Sequence, residues 1–224
     1  MRFEPLGDTA VLVRLGDTID EGALRLVRAA RARLEAAEIA GVLELVPAFN
    51  TIAVHYDPAR FDGDDPYAAL VALLEPRLTN LDIIALPAPH LVEIPIVYGG
   101  PAGPDLAVVA AHAGMAPDDV ARIHASGHYL VHMVGFAPGF PYLGGLDPRL
   151  ACPRRATPRT AVPAGSVGIG GSQTGIYPLE SPGGWQIIGR TPLVLFDPAR
   201  EPAALLRPGD RVRFQAVSAH EATS

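Results

Sequence analysis

The sequence predicts a two-part α+β protein, with helices layered on a small sheet first and a closed or nearly closed β-barrel second. Three observations carry that prediction. Helical apolar repeats alternate with strand-like runs as far as residue 86. The stretch Leu86-Pro-Ala-Pro-His90 then reads as a linker. Beyond Phe136, short β-type segments follow one another between Gly/Pro turns, with no helix between them. The expected domains are residues 1–86 and 87–218, with a frayed end from Ser218 to Ser224.

In the first part, Ala10-Val-Leu-Val-Arg14 reads as a strand. Asp20 is placed to cap a helix over Glu21–Glu38, where Leu24, Val27, Ala30, Leu34 and Ala37 recur at helical spacing. Val42–Val46 and Thr51–Tyr56 read as strands joined by a turn containing Pro47. Asp65-Pro66 opens a second helix carrying Leu70, Leu73 and Leu74. Two helices with interleaved strands point to a ferredoxin-like layer. In the second part, Leu91–Val97 is a strand, and Asp105–Ala113 and Pro117–Ala125 are helices. Pro117 suits a first helical turn, and Asp118 and Asp119 suit the positive end of the helix dipole. Tyr129–Val134 is a strand, and the barrel continues through Ser166–Ile169, Gly175–Tyr177, Trp185–Gly189, Leu193–Phe196 and Asp210–Gln215.

Composition narrows the function. The chain has 224 residues, 49% apolar and only 19% charged, which supports a real core. A net charge of −6 argues against general nucleic-acid affinity, which needs a basic face. All 18 cations are Arg, so neither a Schiff-base lysine nor a Walker lysine is available. One cysteine, Cys152, allows no intrachain disulfide, the first residues lack a signal-peptide pattern, and no apolar run reaches membrane-spanning length. A cytoplasmic setting is expected.

The run from Phe136 to Pro192 is dense in Gly and Pro yet keeps aromatic and aliphatic anchors: Phe136, Phe140, Tyr142, Leu143, Tyr177, Trp185, Ile187 and Ile188. That combination describes rigid loops on buried anchors, a surface built to bind. Gly168-Ile-Gly-Gly-Ser-Gln-Thr-Gly175 lacks the Walker lysine, since Ile176 follows the last Gly. Either it is a hairpin with glycine turns, or its amides form a nest for an anion or carbonyl, the reading favoured here. Ser166 fails the nucleophile-elbow pattern because Ala164 stands where a Gly is needed. Cys152 reads as a small buried hydrophobe. His124, His128 and His132 are spaced by four, but Gly127 and the β-rich run break any common helix. On a strand, His128 and His132 share a face. That pair lacks a third ligand, so no metal is expected, and either histidine is a candidate general base. Arg154, Arg155, Arg159 and Arg190 have guanidinium forks suited to carboxylates and phosphates. Either they pair at the surface with Glu180 or Asp197, or with Gln173, Thr174 and Tyr177 they line a site for a small anionic or amide substrate.

Gly135–Leu146 (GFAPGFPYLGGL), Pro158-Arg159, Val162–Pro178 (VPAGSVGIGGSQTGIYP) and Ser181–Pro192 (SPGGWQIIGRTP) form long specific blocks. Upstream, Gly7-Asp8-Thr9-Ala10, Val46-Pro47-Ala48, Tyr56-Asp57-Pro58, Tyr98-Gly99-Gly100-Pro101 and Pro104-Asp105-Leu106 follow in order. Over nearly its whole length the chain resembles the allophanate hydrolase subunit 1 / sporulation kinase inhibitor family, whose bacterial members include the B subunit of ATP-dependent 5-oxoprolinase. The resemblance implies a ferredoxin-like domain followed by a cyclophilin-like β-barrel. It also implies a related cyclophilin-like partner, similar to the C subunit of 5-oxoprolinase, and a third subunit that completes the activity. The summed reaction would open the lactam of 5-oxo-L-proline to L-glutamate with ATP hydrolysis, ATP belonging to the complex rather than necessarily to this chain. Alternatives within the family are a carboxyltransferase acting on urea-derived amides and a histidine kinase inhibitor that works by direct binding. The expected roles are substrate binding by Arg159, Gln173, Thr174, Tyr177 and Arg190, and proton transfer by His128 or His132, with the chain inactive alone.

Overall fold

The computed structural model describes residues 1–81, 86 and 88–221, which group into two compact units, Met1–Ala88 and Pro89–Ser224. The expected linker and frayed end lie partly outside the described residues.

The first unit contains β1 (Arg2–Pro5), β2 (Ala10–Arg14), α1 (Glu21–Ala37), β3 (Val42–Ala48), β4 (Thr51–Tyr56) and α2 (Pro66–Leu78). Its antiparallel sheet runs β1-β2-β4-β3. Both helices start where a side chain satisfies a free amide: Asp20 accepts from Ala23 N at 2.8 Å and Asp65 from Ala68 N at 2.9 Å. Val27, Ala30 and Leu34 of α1 and Leu70, Leu74 and Leu78 of α2 pack on Val11, Val13, Ile52 and Val54 of the sheet. Three details differ from expectation. Pro47 lies within β3, opposite Ile52, and the chain instead reverses at Phe49 (φ 48°) and Asn50. β3 is an edge strand, where a missing N–H is tolerated. Leu73 is exposed rather than in the core, and β1 carries too little apolar alternation to be read from sequence.

The second unit begins with β5 (Leu91–Tyr98), α3 (Leu106–Ala113) and α4 (Pro117–Ser126). It continues with β6 (Tyr129–Val134), β7 (Pro141–Gly144), β8 (Arg159–Val162), β9 (Ser166–Gly170) and β10 (Gln173–Ile176). The last strands are β11 (Ser181–Gly183), β12 (Gln186–Arg190) and β13 (Arg211–Ala216). Seven strands close a barrel in the order β10-β7-β6-β13-β5-β12-β9, while β8 and β11 form a separate two-stranded sheet. Within the barrel the pairs are antiparallel except β5 with β13. Its interior holds Ile94, Ile96, Val131, Leu143, Val167, Ile169, Ile176, Ile188, Val212 and Phe214, extended by Val109 of α3 and Val120 of α4. Leu193–Phe196 is not a strand; only an isolated bridge joins Phe196 to Ala204. No described helix is long and apolar enough to cross a membrane.

Candidate functional site

The barrel wall formed by β7, β10, β9 and β12 has two unlike faces. Strand alternation sends Leu143, Thr174, Ile176, Val167 and Ile169 inward. On the outward face the same alternation places Tyr142 beside Gly175, and Gly168 beside Ile187. Phe140, Tyr177, Trp185 and Ile187 pack there with Val162 as a second, outer cluster. The glycines are needed for space. A Cβ at Gly170 would lie 2.6 Å from the Trp185 ring, and one at Gly175 would lie 2.7 Å from the Pro141 carbonyl and 3.1 Å from Phe140. Neither has a positive φ. These glycines therefore make a flat shelf on which aromatic rings lie, and their amides are in the β9–β10 ladder. The anion nest expected of this segment does not form. At the turn itself, the Gly171 amide is taken by Cys152 O at 2.8 Å.

Four rings meet edge to face on the shelf. Phe140 lies 5.2 Å from Tyr177 and 5.5 Å from Trp185, and Tyr142 lies 5.9 Å from Trp185. Phe136, 64% exposed and held at φ 71°, adds a fifth ring 5.5 Å from Phe140 at the rim. A bulky residue in that backbone region marks a position where local strain is tolerated, a pattern common at binding sites. The Arg154 guanidinium lies 5.8 Å from the centre of the Trp185 ring, within cation–π range, and pairs with no carboxylate among the described residues. Burial pushes both the Tyr142 and Tyr177 hydroxyls up, against smaller opposing pulls from Arg154 on Tyr142 and from the Trp185 backbone and then Arg154 on Tyr177. Both are protonated donors at neutral pH.

Arg159 is held by an acid that the sequence reading did not pair with it. Asp105, buried just before α3, accepts from Arg159 Nη1 and Nη2 at 2.8 Å each, from Arg155 Nη1 at 3.2 Å and from the Ile187 amide at 2.7 Å. Neither Glu180 nor Asp197 is the partner of these arginines. The bidentate bond to Asp105 raises the Arg159 pKa further. One carboxylate between two guanidiniums leaves a surplus positive charge, and Arg154 adds another beside the rings.

The three histidines separate. His124, in α4, is fully buried in the barrel, its Nδ1 2.7 Å from the Tyr98 hydroxyl and its Nε2 3.0 Å from Thr174 Oγ1. Thr174 donates its own proton to Gly168 O at 2.9 Å, so it accepts from His124. This fixes His124 as the neutral Nε2–H tautomer, with Tyr98 donating to Nδ1. Burial lowers its pKa to about 3. His132 is the extra residue of a β-bulge between Val131 and Met133, and its ring lies against Gly144. His128 precedes β6 and is exposed, so it does not share a strand face with His132. Among the described residues, no group of three His, Cys, Asp or Glu is placed to hold a metal.

Of the expected substrate residues, Tyr177 and Gln173 lie on the outer face, Gln173 opposite Gly170. Arg159 stands beside the shelf with its fork on Asp105. Thr174 faces the interior and His124, and Arg190 is on a separate groove, tethered by Nε to Ala164 O at 2.9 Å. Ser166 is buried, and burial raises the Cys152 thiol, so neither is set up as a nucleophile.

The family model for the carboxyltransferase domain, subdomain C and D, matches residues 1–206. The chain belongs to this carboxyltransferase family. Among its relatives, the B subunit of 5-oxoprolinase from Bacillus subtilis (strain 168) is 44% identical over 223 residues, covering 97% of this chain and 93% of the relative. The corresponding B subunit from Escherichia coli O157:H7 is 46% identical over 221 residues, covering 93% of each. The crystal structure of TTHA0988 superposes with a TM-score of 0.79 at 39% identity, over 93% of this chain. The chain spans 40% of that longer protein, so the carboxyltransferase fold here also occurs as part of a larger polypeptide.

Proposed function

We propose that this chain is the B subunit of an ATP-dependent 5-oxoprolinase, converting 5-oxo-L-proline, ATP and water to L-glutamate together with other subunits. The observation that carries the reading is full-length likeness to two proteins of that name, at 44% and 46% identity and with 93% of each relative covered. Exposed Phe136 and Arg154 at the shelf edge support a site completed by a partner. In this reading the partners are a cyclophilin-like protein and a third component, and ATP belongs to the complex in the cytoplasm. Surplus guanidinium charge attracts the substrate carboxylate. Tyr142, partly buried, is a donor group suited to a lactam carbonyl whose oxygen gains negative charge during opening, with Tyr177 buried behind it. His132 or the exposed His128 remains the proposed proton carrier. We read the first unit as ferredoxin-like because β4 sits between β2 and β3, the pair joined through α1, and the second as cyclophilin-like from its closed barrel. The domain limits proposed are 1–86 and 87–218.

The test is 5-oxoproline-dependent ATP hydrolysis by this chain mixed with its partner subunits, each omitted in turn. Turnover that requires this chain supports the reading, whereas undiminished turnover without it removes the reading. A second reading, carboxyl transfer to a urea-derived amide, is favoured by the family description and by a 62-residue stretch 45% identical to part of a urea amidolyase. Transfer of the carboxyl group of carboxybiotin to urea, in the absence of oxoprolinase turnover, would select it.

A further inference from the structure

A groove of about 530 Å³ lies on the second unit, and none of the shelf rings lines it. Ala164, Leu179, Pro192, Leu193, Val194 and Phe196 give it apolar walls, and Arg190 is the one charged residue among those lining it. Leu179 and Val194 stand 41% and 59% exposed. Its frame is rigid for a local reason. Gly165 holds φ 81°, its amide donates to Tyr177 O at 2.7 Å, and its carbonyl accepts from Thr191 N at 2.9 Å. A side chain at that position would run into the Thr191 carbonyl. The joint brings Ala164 O to within 2.9 Å of Arg190 Nε. That bond fixes the guanidinium by one edge. Both terminal nitrogens are left with no protein acceptor among the described residues.

We infer that this groove binds a monocarboxylate with a sizeable apolar body, a medium-chain or aryl acid, the carboxylate seated on the two terminal nitrogens of Arg190. A tethered guanidinium presents the parallel pair of donors that a carboxylate accepts, and no lining acid competes for it. The guanidinium lies at the exposed edge of the groove, and the apolar walls beside it take the hydrocarbon. The volume lies within the range of about 300–1,000 Å³ typical of small-molecule sites, and a five-membered lactam would leave most of it unfilled. The inference stands independently of the oxoprolinase reading.

Isothermal titration calorimetry on the full chain tests it, with octanoate as probe, octanol as its uncharged counterpart and 5-oxoproline for size. Wild type is expected to bind octanoate at least tenfold more tightly than either. Arg190→Gln is expected to weaken octanoate at least tenfold and leave octanol unchanged. Val194→Asp, which places an acid on the wall, is expected to weaken octanoate with the fold intact by circular dichroism. Arg154→Gln, on the shelf and outside the groove, is expected to leave octanoate binding unchanged. No octanoate binding by the folded wild type, equal binding by Arg190→Gln, or loss caused by Arg154→Gln instead would each overturn the assignment.

Discussion

The inside and the outside of one barrel wall obey opposite rules. Inside, β9 and β10 present Val167, Ile169, Thr174 and Ile176 to a sealed core, and the polar atoms of Thr174 and His124 are matched to each other. Outside, the same strands present Gly168, Gly170 and Gly175 to rings that end at an exposed rim. The inner face shows how a polar pair is tolerated in a core, by satisfying each donor and acceptor. The outer face shows how a strand is flattened to carry a binding surface. Its rings are fixed from below by glycines and from the side by the Asp105–Arg159 pair, while Phe136 and Arg154 stay accessible.

The largest effect is expected from removing the side support. Asp105→Ala leaves two guanidiniums and the Ile187 amide without their acceptor and should cost about 3 kcal/mol, the lower end for a broken buried pair because both arginines are partly exposed. Urea denaturation reads that loss, and a cost below about 1 kcal/mol would break the claim that this acid holds the outer layer. Gly170→Val should come next, at about 2–3 kcal/mol, with a shift in Trp185 fluorescence as the ring is lifted. An unshifted spectrum would mean that the glycine is there for the turn and not for the shelf.

The inner face predicts a pH dependence. His124 has a folded pKa of about 3, below its ordinary value near 6.5, so between those pH values the unfolded chain binds the extra proton. Stability from this group is therefore complete above about pH 6.5 and is lost as pH falls towards 3, at a slope approaching 1.4 kcal/mol per unit. Denaturation at several pH values should show that slope in wild type and a shallower one in His124→Gln. Equal slopes would place the acid sensitivity elsewhere. Thr174→Val, which strands His124 Nε2–H and Gly168 O, should cost about 1–3 kcal/mol. Smallest for stability is Arg154→Gln, at about 0.5 kcal/mol or less, because the residue is exposed.

Much of this architecture is legible in the sequence because its signals are local. Asp20 and Asp65 cap the helices they precede, and the apolar periods of α1, β2 and β4 map onto one core. The Gly/Pro run does carry the aromatic surface. What escapes is pairing at a distance. Asp105 meets Arg159 across 54 positions, and Tyr98 meets His124 across 26, with no periodicity linking them. The glycines of Gly168–Gly175 read as a hairpin or an anion nest because sequence shows permissive residues but not the rings that require the emptiness of Gly168, Gly170 and Gly175. β7, β8 and β11 are three or four residues long, too short to show alternation among Gly and Pro.

The most direct test of the account uses the assembled complex with Phe136→Ala and Arg154→Gln combined in this chain. The account predicts that kcat/KM for 5-oxoproline-dependent ATP hydrolysis falls at least tenfold, while the variant's unfolding midpoint stays within error of wild type. Unchanged turnover from the folded double variant would contradict it, and would move the working surface of this chain away from the aromatic shelf.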